Sequence, residues 1–110
     1  MLESVDVKQL ALEMESIFSV KLIQKNIHFE LDIDPSLPKY LLLDNTRIRQ
    51  ILFNLIGNAI KFTDHGFVKL GVKKSFKDEE KSKIDLEIYV QDSGIGIPKK
   101  NIAYIFDAFE

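Results

Sequence analysis

Two short stretches hold side chains whose types and spacing suit chemistry better than packing. Arg47, Gln50, Asn54, Asn58 and Lys61 follow one another at intervals of three and four residues. On a helix they fall within ~40° of one line. A strip turned to water usually mixes Glu with Lys, whereas this one has amides and cations and no carboxylate. Two asparagines one turn apart also cost a helix roughly a few tenths of a kcal/mol each against alanine. Amide oxygens are hard ligands that suit Mg²⁺, an ion that keeps few protein ligands and fills its octahedron with water and phosphate oxygens. A lysine beside them adds a point charge for the same phosphates. The stripe has the composition of half a nucleotide site.

The second stretch is "QDSGIGIP", Gln91 to Pro98. Asp92 keeps the parity of Ile84, Leu86, Ile88 and Val90, the apolar positions of a strand. A carboxylate on the core side is costly unless something donates a hydrogen bond to it. Gly94 and Gly96 leave room for a flat ligand to approach the backbone. Taken singly, the stripe reads as a solvated helix face and "DSG" as an ordinary turn. Taken together, they read as two walls of one cavity, provided the helix packs on the face to which Asp92 belongs.

Several elements must position these walls. "VDVKQLALEMESIFSVKLIQKN" reads as an amphipathic helix with Val7, Leu10, Met14, Ile17, Phe18 and Leu22 on its apolar side, Asp6 as its N-cap and Asn26 closing its end. "IHFELDI" alternates as a half-buried strand, and "DPSLPKYLLL" reads as a loop leading onward. Asp44 caps a helix running to about Phe62, which is apolar nearly all round apart from the polar stripe and is therefore expected to be buried. "FVKLGVK" and "IDLEIYV" are strands joined through the charged connector "SFKDEEKSK". The expected fold is α+β, a two-layer α/β sandwich with helices on one face of a mixed, mostly antiparallel sheet.

Composition narrows the function classes. The chain has 110 residues, the length of one domain, with 15 Lys and Arg against 17 Asp and Glu. Such a balance disfavours a nucleic-acid binder or a domain that contacts membrane. There is no cysteine, which excludes disulfides and thiolate metal sites. No apolar run reaches the ~18 residues of a membrane span, so the chain is expected to be soluble. The lack of cysteine fits a reducing compartment, and a cytoplasmic domain is expected, within a parent protein that could itself be membrane-anchored. The final "IFDAFE" is aromatic and lacks a polar tail, which suggests a domain incomplete at its C-terminus.

At this point the residues resemble a known family. "NLIGNAIKFT", Asn54 to Thr63, looks like the N box of the histidine-kinase ATP-binding domain. "DSGIGIP", Asp92 to Pro98, resembles its first glycine box, and "IFDAFE", Ile105 to Glu110, its phenylalanine box. "GNAIKFT" is especially similar to hybrid sensor kinases. The resemblance spans essentially residues 1–110 and implies the Bergerat ATP-binding fold, with ATP and Mg²⁺ as ligands. It implies that Asn58 binds the metal, with Asn54 beside it, and that Lys61 contacts phosphate. On the same resemblance Asn54 and Lys61 would be the residues closest to catalysis. Phe62, Gly94, Gly96, Ile97 and Phe106 would border the nucleotide, with Phe106 and Phe109 packing near a mobile lid that begins at the glycines. Asp92 would accept a hydrogen bond from the adenine amino group. In hydrolytic relatives an acid stands one turn before the metal asparagine; here that position is Asn54, whose amide is no base. The resemblance thus implies phosphoryl transfer to a histidine.

Two family features are absent from the sequence: the second glycine box with the strands after it, and the phosphoacceptor histidine. His28 reads as a surface residue and His65 as part of a turn. The expected partners are therefore a dimerisation domain of the same protein that bears the histidine, and a response regulator or receiver domain. These 110 residues alone are expected to bind ATP weakly, to lack kinase activity and to self-associate through an exposed sheet edge. Two other readings compete: a non-catalytic regulatory module on the same fold, and another GHKL ATPase, such as an anti-sigma serine kinase.

Overall fold

The computed structural model describes residues 2–78, 83–93 and 99–109, with side chains throughout these except at 75–78 and 99–107. Six strands form one sheet in the order β1-β3-β6-β5-β4-β2, and the helices cover one of its faces. The strands are β1 (Glu3–Val5), β2 (Ile27–Ile33), β3 (Leu41–Leu43), β4 (Gly66–Asp78), β5 (Lys83–Asp92) and β6 (Lys99–Phe109); the helices are α1 (Val7–Ile17), α2 (Ser19–Gln24) and α3 (Asn45–Lys61). Among the described residues only β2 and β4 pair in parallel, and the other pairings are antiparallel.

Local chemistry places most element ends. The Asp6 carboxylate accepts from the Gln9 amide at 3.0 Å and that of Asp44 from the Arg47 amide at 3.1 Å, so both helices begin at side-chain caps. Asn26 takes a positive φ of 54° and turns the chain from α2 into β2. The first helix is broken at Phe18, whose ψ of 5° ends α1 and starts α2. As a result Ile17, expected on the apolar side, is 55% exposed, while Val7, Leu10, Ala11, Met14, Phe18 and Leu22 are buried.

β4 and β5 alternate as expected, with Val68, Leu70 and Val72 on one strand and Ile84, Leu86, Ile88 and Val90 on the other all buried. Three strands were not expected from the sequence. Leu41–Leu43 is a strand, with Leu41 and Leu43 buried and Leu42 exposed, and it pairs with Glu3–Val5. Both are three residues long, too short to show a period. The third is β6, which runs antiparallel along β5 from Asp92↔Lys99 to Lys83↔Phe109. The segment "IAYIFDAF" is rich in β-branched and aromatic residues, and as a strand it covers the edge that β5 would otherwise present.

α3 packs on β4 and β5 through Ile48, Leu52, Ile56, Ala59 and Ile60. Burial is confined to that sheet-facing side. Phe53, expected to be buried with the rest of this apolar helix, is half exposed and stacks obliquely on Phe18 with ring centroids 5.1 Å apart.

Candidate nucleotide site

The polar stripe lies on the outer side of α3, where Arg47, Gln50, Asn54, Asn58 and Lys61 are all exposed. Phe62 is the C-cap and is 64% exposed. The last turn of α3, which carries Asn58 and Lys61, is held from below. Lys25, at the end of α2, donates from Nζ to the Ile60 carbonyl at 2.7 Å and to the Lys61 carbonyl at 3.3 Å. A cation at a helix C-terminus satisfies carbonyls that have no partner within the helix and meets the negative end of its dipole. At the other end, Arg49 bonds Glu13 of α1 at 2.9 Å and Asn45 at 3.0 Å. The stripe is therefore anchored at both ends by neighbouring elements.

Asp92 ends β5 directly opposite Val68. Residues paired across an antiparallel ladder share a face. Val68 is fully buried under the helices, so Asp92 belongs to the helix-covered face of the sheet. It also stands at the end where α3 finishes, because only residues 62–65 separate α3 from β4. This corner is locked by Ser93. Its Oγ accepts from the Phe67 amide at 2.9 Å, and its own amide donates to the Phe67 carbonyl at 3.2 Å. Gly66 makes the approach possible: its φ is +115°, and a Cβ there would sit 2.1 Å from Ser93 Oγ. The end of α3, with Asn58, Lys61 and Phe62, and the end of β5, with Asp92, thus lie on the same side of the sheet and toward one end of it.

Other expected residues do not join them. Phe106 lies in β6 opposite Leu86, six positions along β5 from Asp92, or about 20 Å. This placement differs from the expected packing beside the lid, because residues 99–109 are a sheet strand instead. Phe109 pairs with Leu42 and Lys83 and is half-buried. Gly94, Gly96 and Ile97 lie outside the described residues. His28 and His65 are exposed, on a strand and in a turn.

The sequence reading missed several supports. Nothing in "QKN" announced that Lys25 would cap a helix 35 residues further on. Thr63 is fully buried, and its hydroxyl has no hydrogen-bond partner among the described residues. On the opposite face, the Tyr89 ring lies over Gly71, where a Cβ would meet the ring at 1.9 Å, and its hydroxyl donates to Asp32. Lys73 also bonds Asp32, at 2.9 Å. Burial, and then the Asp32 carboxylate, push the Tyr89 hydroxyl up to about 12, while hydrogen bonds from Tyr89 and Lys73 hold Asp32 below the usual carboxylate range. This cluster pins β2, β4 and β5 together on the face away from the candidate site.

Two hollows open beside the helices. One of about 660 Å³ lies between Asp6–Lys8 and the segment from Leu31 to Lys39, and one of about 540 Å³ lies between α1–α2 and α3 over Gly57. The second is also lined by Lys61, and neither is lined by Asn54, Asn58 or Asp92.

Comparison with known proteins settles the family. Residues 43–110 match the family described as "Histidine kinase-, DNA gyrase B-, and HSP90-like ATPase". The chain is 36% identical over 107 residues to the hybrid signal transduction histidine kinase K of Dictyostelium discoideum, covering 93% of this chain and 9% of that protein. The crystal structure of full-length ShkA in complex with AMPPNP superposes with a TM-score of 0.70 at 31% identity, over 84% of this chain and 19% of that one. Histidine kinase ThkA in complex with response regulator protein TrrA gives a TM-score of 0.63 at 26% identity, over 81% and 25%. The chain spans about a tenth of the length of the curated relatives it matches, 9% of one and 13% of another. By its fold and by these matches, the chain belongs to this ATPase family, as an ATP-binding domain of the histidine-kinase kind.

Proposed function

We propose that this domain holds Mg²⁺-ATP between the outer face of α3 and the end of β5, and presents the γ-phosphate for transfer to a histidine on a separate dimerisation domain. The observation that carries the reading is the placement of Asp92 on the helix-covered face, at the end where α3 delivers Asn58 and Lys61. The Asp92 carboxylate can only accept, so it suits the adenine amino group. The Asn58 amide oxygen is a ligand for a hard cation, with Asn54 one turn away to orient water or phosphate. Among the described residues no cluster of three or more His, Cys, Asp or Glu is built to hold a metal, so amides and phosphate oxygens would share the coordination. When bound, the cation supplies charge neutralisation on the phosphates. Lys61 adds a point charge, and Asn54 supplies no general base, which favours transfer over hydrolysis.

A response regulator would receive the phosphoryl group from that histidine, consistent with the ThkA–TrrA assembly. Among the described residues no helix is long and apolar enough to cross a membrane, and we place the domain on the cytoplasmic side. The test is ATP-analogue binding by the full-length protein and by its Asn58→Ala and Asp92→Ala variants. Each substitution removes a contact to a charged group and should weaken binding about ten- to a hundredfold. Undiminished binding in both variants would overturn the assignment.

A further inference from the structure

The hollow of about 540 Å³ between α1–α2 and α3 opens over Gly57, with Phe18 and Phe53 beside it and Ile17 at the end of α1. Glycine is a poor residue for the interior of a 17-residue helix. The packing does not require it here. Gly57 is not among the glycines of positive φ, and a Cβ on it would meet the Phe18 ring at 3.6 Å, an ordinary contact. The missing side chain leaves room for a neighbour that the described residues do not supply. The surroundings are open and apolar: Ile17 and Phe53 are half exposed, and Val20 and Ile23, along α2, are 63% and 79% exposed. Lys21, Lys25 and Lys61 also line the hollow, and no carboxylate does. Lys25 is engaged by the α3 carbonyls, whereas Lys21 and Lys61 form no ion pair among the described residues.

We propose that this groove docks an acidic amphipathic helix of a partner protein. An apolar side chain of that helix sits over Gly57 beside the two phenylalanine rings, and its carboxylates face Lys21 and Lys61. The walls of the groove are helices, whose backbone groups bond within themselves, so strand addition is not open to a ligand. Recognition falls to side chains, as when an amphipathic helix lies in an apolar groove. A small apolar ligand is normally enclosed by its pocket, but here the lining side chains stay half exposed and the apolar surface continues along α2, which suits a longer occupant. Charge sets the sign of that occupant. Lys21 and Lys25, one turn apart, match carboxylates at helical spacing and repel a basic helix. A second copy of this chain offers no such helix among the described residues: the apolar side of α1 is buried in its own core, and the outer side of α3 carries amides and cations.

The experiment selects binders of the full-length protein from a library of helical peptides, with Leu fixed at helical spacing and Glu, Lys, Gln or Ser at every other position. The selected peptides are then titrated by fluorescence anisotropy against wild type, Lys21→Glu and Gly57→Ala, with thermal unfolding recorded for each protein. Selection should enrich Glu over Lys. Lys21→Glu should lose about tenfold in peptide affinity at an unchanged melting temperature. Gly57→Ala should melt higher than wild type, since alanine suits a helix better, yet also bind about tenfold more weakly because its methyl occupies the groove. That opposite movement of stability and affinity is what a purely structural glycine would not show. Peptides with as much Lys as Glu, no binders at all, or affinity unchanged in either variant would overturn the inference. So would wild-type dimerisation that Gly57→Ala abolishes, which would make the occupant a second copy. Binding to phosphatidylglycerol vesicles in place of peptides would overturn it as well.

Discussion

Single side chains set the ends of elements here, and some of that was legible from residue type alone. Asp6 and Asp44 were recognisable as caps because a short carboxylate before an apolar helical pattern can reach the free amides of the first turn. Asp34 is a similar case that the sequence reading left unassigned. Its carboxylate accepts from the Ser36 hydroxyl at 2.7 Å, the Ser36 amide at 2.9 Å and the Lys74 amide at 3.1 Å. The Ser36 hydroxyl bond first, then the two amide bonds, lower its pKa to about 2. Because the folded value lies below the unfolded one, the unfolded chain binds more protons between them. The stabilisation is complete above about pH 4 and fades as pH falls through about 2. Asp34→Ala should lower stability at neutral pH and flatten the acid limb of a urea-midpoint-against-pH curve; an unchanged acid limb would contradict this. The pairing of Tyr89 with Asp32 had no local signal, since it joins residues 57 apart across the outer face of the sheet.

At the level of elements, α3 decides what the site can be. Its ends and its polar stripe followed from spacing, because a 3.6-residue period is visible over 17 residues. Its burial did not follow. Hydropathy alone cannot say which apolar side faces the sheet, so Phe53 looked buried and proved half exposed. The break at Phe18 and the strand at β6 were hidden for a related reason: each depends on what packs alongside, not on the residues' own preference. Lys25 shows how such neighbours matter to the candidate site, since it bonds the last carbonyls of α3. Replacing it, as Lys25→Met, removes the charged donor but keeps the stem. The loss should be about 0.5–1.5 kcal/mol in urea unfolding, with faster hydrogen exchange at the Lys61 and Phe62 amides. Wild-type exchange at those amides would mean that the cap is incidental.

Across the whole molecule, the sheet separates two tasks. The face away from the helices carries the Tyr89–Asp32–Lys73 cluster, which ties β2, β4 and β5 together. The helix-covered face carries the core, and toward one end of it lie the last turn of α3, with Asn58 and Lys61, and the end of β5, with Asp92. The two-layer α+β fold was legible because strands with one apolar face need helices to cover it. The candidate site stood out in the sequence because amides on a helix and a carboxylate at core parity are both poor choices for packing alone. Backbone amide shifts recorded while Mg²⁺ and a non-hydrolysable ATP analogue are added test this division most directly, and they report even weak binding. The account predicts that the largest changes fall on Asn54, Asn58, Lys61, Asp92 and Ser93, with Asp32, Gly71 and Tyr89 undisturbed. Changes centred instead on the outer face, or on the hollow between Asp6–Lys8 and Leu31–Lys39, would contradict it.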